Sequence, residues 1–386
     1  VALTWAGREP AAIGTPEARP TAVARLAPRV IVTTEDVVAA RLLVDTTQAY
    51  ATDATVCVEG TDLVATPNMV RVAGLTKDTA HTSEVRIALP TGALGAREGV
   101  VHLKTPLRDH RTPFTVLRLG TGGAVSVRPD ERAGRTVWHV ENGLSRFEVA
   151  PDFGLSVIGW YTEDGVNQLL SHYPAPGSFS WMYPWYGGIH PEVLPDGFHA
   201  GEGLLYREPG VTGDPVEVVA DGLTWRGVRL TVQPSEPKLK GLGIEIDYTT
   251  VGGANVLRQA VRLRNLRDCE QTARALCRVT ATLGGKHDEV SLLGEGVYRQ
   301  PTICSVWTGG RRWAALRHEG TGRTLLVASG ANDLTLWDSG VHGRVIDSTR
   351  ELRLAAGETQ EVVRYSVLAD TWEQARGYRA LSNLQG

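Results

Sequence analysis

Residues 223–265 read LTWRGVRLTVQPSEPKLKGLGIEIDYTTVGGANVLRQAVRLRN. Three runs within and around this stretch, LTWRGVRLTVQP (223–234), GIEIDYTTVG (243–252) and NVLRQAVRLRNL (255–266), alternate apolar with polar residues and are separated by Pro, Gly and Asn. A period of two bounded by turn residues is the pattern of β-strands. Working outward, the same pattern recurs in ARALCRVTATL (273–283), WAALRH (313–318), RTLLVASG (323–330), DLTLWD (333–338) and EVVRYSVLA (361–369), and upstream in VWHVENGLSRFEVAPDFGLSVIGWY (137–161). These are too many strands for an ordinary sandwich of about seven, so residues 136–386 call for a larger two-sheet assembly. Helical periodicity is scarce. It is expected at the end, TWEQARGYRALSNL (371–384), and as a short turn at Asp36–Arg41, where acidic residues open a brief apolar-periodic run.

Between Ala24 and about residue 130, the runs ARLAPRVIVTT, ARLLVDTT, ATVCVEG, MVRVAG, SEVRIALP, GVVHLKTP and FTVLRLG give about seven strands in about a hundred residues. That count and spacing match an immunoglobulin-like sandwich, without the Cys…Trp…Cys core of antibody domains. No cluster of titratable groups converges there, so this segment reads as a structural or docking module. Residues 1–23 hold one strand, VALTW, and a Pro/Gly/Ala-rich linker, and the polar stretch GTGGAVSVRPDERAGRT (120–136) places the boundary between the two sandwiches near Pro129–Arg135. The chain starts at Val1 rather than Met, which fits removal of a leader or of an upstream domain. The fold class expected is thus all-β, a small sandwich followed by a larger one, with a short C-terminal helix.

Composition removes several functional classes. Forty basic residues against 43 acidic ones leave a net charge of −3 with no basic stripe, so nucleic acid is not an expected partner. No apolar run approaches the roughly 20 residues that cross a bilayer, and a membrane is not an expected partner either. Cys57, Cys269, Cys277 and Cys304 form no C-x-x-C pair, which argues against a zinc knuckle or a disulfide framework and for reduced, buried thiols. This leans toward the cytoplasm over secretion without fixing a compartment. The Gly-rich pieces at 120–123 and 308–313 lack the residues of a Walker or dinucleotide loop, and a G-x-S-x-G elbow is absent. No cofactor is called for.

The densest concentration of functional side chains lies at residues 172–202: His172, Tyr173, Trp181, Tyr183, Trp185, Tyr186, His190, Glu192, Asp196, His199 and Glu202. Two of the ten tryptophans and three of the ten tyrosines fall between 173 and 186, next to prolines and the pair Gly187-Gly188. Flat rings that cover the apolar faces of a sugar, with carboxylates and imidazoles for its hydroxyls, suit a carbohydrate cleft. Rings plugging the open end of a sandwich are the plainer alternative. His190, Glu192 and His199 are the candidates for acid/base chemistry, and Trp181, Tyr183, Trp185, Tyr186, Asp196 and His172 for binding substrate. His190 and His199, nine residues apart with Glu192 between them, match no compact metal motif, and no metal is assigned. Three further groups could line a cleft or equally fill a core: the turn Gly284–Glu289 with His287, the pair Trp337-Asp338 with His342, and Trp307 with Trp313.

Several short motifs, in this order along residues 137–372, resemble the galactose-mutarotase-like superfamily of aldose and hexose-phosphate epimerases: FEVAPDFGLSVIGW (147–160), Asn167-Gln168-Leu169-Leu170, Gly187-Gly188-Ile189-His190-Pro191, Leu194-Pro195-Asp196-Gly197-Phe198-His199, and LRLAAGETQEVVRYSVLA (352–369). The resemblance implies a β-supersandwich and acid/base chemistry on a sugar, with a histidine acid on one strand and a late carboxylate base. The strand corresponding to the first reads Ala275-Leu276-Cys277-Arg278 and holds no histidine; Asp347 stands at the late acidic position. Two functions follow. One is a carbohydrate-active enzyme of epimerase, lyase or glycoside hydrolase type, acting on a sugar or glycan. The other is a non-catalytic module that binds a sugar or a protein partner and serves an upstream domain.

Overall fold

The computed structural model describes residues 22–179, 182–195, 204–205, 208–294, 297–298, 305–331, 333–338 and 343–384. Residues 1–21 and Trp181, Asp196, His199, Glu202, Cys304 and His342 lie outside the described residues, and so do the side chains of 305–310, including Trp307. The chain divides into two compact units: Val1–Arg29, Ala39–Ala88 and Glu98–Phe114 in the first, and Val30–Val38, Leu89–Arg97 and Thr115–Gly386 in the second.

In the first unit, Ala22–Ala27, Val37–Thr46, His81–Ala88 and Val64–Thr66 form one sheet in that order. Strand Thr52–Gly60 pairs antiparallel with both Gly95–Lys104 and Met69–Leu75. Ala40, Leu42 and Val44 are buried at alternate positions, as are Val56 and Val58, and Val101 and Leu103. The short helical turn expected at Asp36–Arg41 is not formed: from Val37 onward the chain is a strand. Apolar residues at every second position give this segment one buried face as a strand, which outweighs the helix-like acidic opening.

The second unit contains, among the described residues, two nine-stranded sheets. The first runs in the order Ser126–Arg132, Arg135–Glu141, Arg146–Ala150, Ser156–Tyr161, Ile189–Pro195, Gln271–Val279, Arg344–Leu354, Leu334–Asp338, Ser305–Arg311. The second runs Thr212–Ala220, Leu223–Val232, Leu242–Thr250, Val256–Asn265, Thr359–Ala369, Thr324–Ser329, Trp313–His318, Val290–Leu293, Val297–Tyr298. Their facing sides share one apolar core, to which the first sheet contributes Val149, Val157, Val193, Ala275, Cys277 and Ile346 and the second Val228, Ile244, Ile246, Val261, Leu316 and Val327. Because strand side chains alternate, every second residue of the first sheet is directed away from this core, onto its outer face.

The outer face of the second sheet carries Trp225, Val256, Ala260 and Tyr365, and the C-terminus packs there through Ala375, Tyr378 and Leu381. The expected terminal helix forms as Trp372–Gly377, opened by a capping box between Thr371 and Gln374, and continues as a 3₁₀ turn over Tyr378–Asn383. Burial of the thiols is uneven. Cys277 is buried, Cys57 is partly so, and Cys269 is exposed, which corrects the expectation of buried thiols throughout; all three are free.

Candidate functional site

Three central strands of the first sheet build the site. His190 on Ile189–Pro195 lies directly opposite Arg278 on Gln271–Val279, and Arg278 lies directly opposite Asp347 on Arg344–Leu354. Glu192 is two residues beyond His190 and therefore on the same face. The intervening Ile189, Val193, Cys277, Val279 and Ile346 belong to the inter-sheet core, so the four ionisable groups project from the outer face. They form a continuous array: His190 Nε2 lies 3.3 Å from Glu192 Oε1, Arg278 Nη1 donates to Glu192 Oε1 at 2.6 Å, and Arg278 Nε is 3.2 Å from Asp347 Oδ1. His190 Nδ1 shares a 2.8 Å hydrogen bond with the Ser156 hydroxyl. The contact between His190 and Glu192 is close in distance but not aligned as a hydrogen bond, and the Ser156 bond fixes the ring.

All four groups are buried at 3% exposure or less. What covers them is aromatic. Tyr186 stacks on the His190 ring, centroids 4.1 Å apart and planes at 19°. The Arg278 guanidinium lies over the Trp185 ring at 5.2 Å, and Trp185 stacks on Phe179 at 4.4 Å. Phe179, Trp185 and Val345 form a small cluster with Trp337 packed against it. A separate two-stranded ribbon, Gly177–Phe179 with Met182–Trp185, brings Phe179 and Trp185 to this position. Gly154, at φ +65°, leaves room for the imidazole, since a Cβ there would stand 2.7 Å from His190 Cε1.

Burial sets the protonation states. It lowers the pKa of His190 against the opposing pull of Glu192, which favours the neutral ring. It pushes the Asp347 carboxyl up to about 6, with Arg278 opposing and Glu192 adding to the rise. The site thus holds a neutral imidazole, a carboxyl poised to gain or lose a proton near neutral pH, a second carboxylate and a guanidinium. Such an array can take a proton from one oxygen and give one to another. Trp185 Nε1, Trp337 Nε1 and Arg278 Nη2 are buried donors with no hydrogen-bond partner among the described residues.

The structure therefore brings together His190, Glu192, Trp185, Tyr186 and Asp347 of the residues singled out in the sequence. Trp185 and Tyr186 are enclosed at 2% and 1% exposure rather than lining an open cleft, while Tyr183 is exposed at 67%. His172 is half-buried beside them. Its backbone N–H donates to Tyr186 O, and burial and the nearby His287 lower its pKa. His287 sits in a 3₁₀ turn, His287–Glu289. Trp313 belongs elsewhere, tilted against Trp372 with ring centroids 5.7 Å apart, on the outer face of the second sheet. Arg278 and Ser156 were not among the residues singled out in the sequence. An arginine inside the apolar run ALCRV was a visible sign, because a buried guanidinium requires partners; nothing local marked Ser156. Among the described residues, no group of three or more His, Cys, Asp or Glu side chains is placed to hold a metal ion. No helix among them is long and apolar enough to cross a membrane.

No protein-family model and no curated protein matches this chain. Among solved structures, it is similar to a galactose mutarotase-like protein from Clostridium acetobutylicum, at 11% identity and a TM-score of 0.46, over 64% of this chain and 99% of that one. A galactose 1-epimerase from Lactobacillus acidophilus is similar at 12% identity and a TM-score of 0.44, over 64% and 99%. A TPR-domain containing protein from Parabacteroides distasonis is similar at 13% identity and a TM-score of 0.44, over 88% of this chain and 56% of that one.

Proposed function

We propose that this chain is a carbohydrate-active protein on a mutarotase-like sandwich, binding and processing a sugar or glycan at the outer face of its first large sheet. One observation carries the reading: His190, Arg278 and Asp347 stand in cross-strand register, with Glu192 beside them, beneath stacked aromatic rings. Buried ionisable groups are costly, and four of them outside the apolar core meet no packing need. The unpartnered indole and guanidinium donors beside them suit a ligand rich in acceptor oxygens, and the flat rings suit the apolar face of a pyranose. In this reading Asp347 and Glu192 exchange protons with the substrate, Arg278 holds both carboxylates in place, and His190 and the rings of Trp185 and Tyr186 bind the sugar. His199, Asp196 and Trp181 are candidates for the same site from the sequence alone.

Thermal unfolding with a panel of neutral, amino and uronic saccharides tests the proposal. A ligand at about 100 times its Kd adds roughly 2.7 kcal/mol of stability, so at least one saccharide should raise the Tm of the native chain by several degrees, and Glu192→Gln should abolish the rise. No rise with any saccharide, or an equal rise in the variant, would remove the site from the account.

The near-complete enclosure of the four groups favours a second reading, a non-catalytic module whose buried ion array fixes the sheet while the protein binds a sugar or a partner elsewhere. In that case turnover is absent, and a saccharide response survives Glu192→Gln.

A further inference from the structure

The interior face of the second sheet carries a polar row where an apolar one is expected. Tyr248 lies opposite Gln259, Gln259 opposite Arg364, and Arg364 opposite Ser329, on four adjacent strands. Tyr248, Arg364 and Ser329 are at most 2% exposed and Gln259 is 3% exposed. Their flanking neighbours Ile246, Leu257, Val261, Val327 and Val362 belong to the apolar core between the sheets. Polar groups are costly in such a place unless bonded, so the partners of this row matter.

Two of its members reach across the sandwich and bond residues directly behind the ionisable array. The Tyr248 hydroxyl donates to Leu155 O at 2.6 Å. Leu155 is held at φ +57°, a conformation unfavourable for leucine, and the next residue is Ser156, whose hydroxyl bonds His190. Arg364 donates from Nε to Ser348 Oγ at 2.6 Å and from Nη2 to Ala275 O at 3.0 Å. Ser348 follows Asp347 in the chain, and Ala275 lies on the strand of Arg278. Each end of the array is thus tied through its own backbone to a side chain of the opposite sheet.

We propose that Tyr248 and Arg364 are positioning residues for the outer-face site, Tyr248 setting the orientation of His190 through Leu155-Ser156 and Arg364 setting that of Asp347 through Ser348. The inference rests on the site reading above only for what the array does. Its test needs no saccharide, so the two can fail separately.

Imidazole ¹⁵N spectra of the full chain report the His190 ring, and carboxyl ¹³C titration reports Asp347. In the native protein His190 should show one neutral tautomer at neutral pH, its Nδ1 bonded to Ser156. Tyr248→Phe keeps the ring and removes only the hydroxyl; it should replace that signature with mixed or titrating signals. Ile246→Val, on the same interior face but without a hydrogen bond, removes packing alone and should leave the His190 signals unchanged at a lowered Tm. Arg364→Lys keeps the charge but not the two-point hold, and should move the Asp347 midpoint by at least half a pH unit while leaving His190 in place. His190 signals that stay native in Tyr248→Phe, or that change equally in Ile246→Val, overturn the role of Tyr248. An unmoved Asp347 midpoint in Arg364→Lys overturns that of Arg364.

Discussion

Asp347 and His190 pull the stability of the protein in opposite directions as pH changes, because burial acts on an acid and on a base. The Asp347 carboxyl is raised from an ordinary value of 3.8 to about 6, so the folded chain holds this proton where the unfolded chain has lost it. Its contribution to stability is therefore greatest in acid and declines as pH rises between about 4 and 6, by about 3 kcal/mol in all. His190 is lowered from 6.5. The unfolded chain takes up a proton at a higher pH than the folded chain does, so this contribution is lost as pH falls below 6.5. Thermal unfolding of the native chain and Asp347→Asn from pH 4 to 8 separates the two: the stability of the native chain relative to the variant should fall from pH 4 to 6 and level off above about 7. A difference independent of pH would mean that Asp347 is not held as described. Asp347 stood out in the sequence through resemblance, and His190 and Glu192 through their crowded surroundings. Arg278 and Ser156 did not, since their roles come from neighbours 86 and 34 residues away in the chain, and strand register decides such proximity.

The segment from Gly177 to Pro195 shows how an element places these groups. After the aromatic ribbon, the chain must turn sharply to enter the sheet at Ile189, and Gly187 and Gly188 make the turn at φ +70° and +69°. A Cβ on Gly187 would stand 2.1 Å from Leu170 O, a backbone atom that cannot give way cheaply. Gly187→Ala should therefore destabilise the fold by about 3 kcal/mol or more, whereas Gly222→Ala, also at positive φ but with nothing within 4 Å, should cost about 1 kcal/mol. Urea unfolding checks both; equal losses would mean that the close approach at Gly187 is relieved by a small shift. Strands and terminal helix were legible because periods of two and of about 3.6 residues are local signals. The burial of Trp185 and Tyr186 was not, because Gly, Pro and aromatic residues describe an exposed loop and a folded-back ribbon equally well. At Asp36–Arg41, a weak local helix signal yielded to the demand of Ala40, Leu42 and Val44 for a single buried face.

At the scale of the second unit, three layers stack in order: the interior of the second sheet with Tyr248 and Arg364, the backbone of the first sheet, and the ionisable array under its aromatic cover. A sandwich held only by apolar contacts would need none of the polar members. Their alignment through the sheet supports the proposed site on the outer face, and it is invisible along the chain because the residues involved are spread from Leu155 to Arg364. Saturation transfer from protein to saccharide, observed by NMR on the native chain and on a Glu192→Gln/Asp347→Asn double variant across the saccharide panel, tests this most directly. Transfer to at least one saccharide from the native chain and its loss from a folded double variant are expected; transfer to none, or transfer unchanged in the variant, would contradict a sugar site at this face.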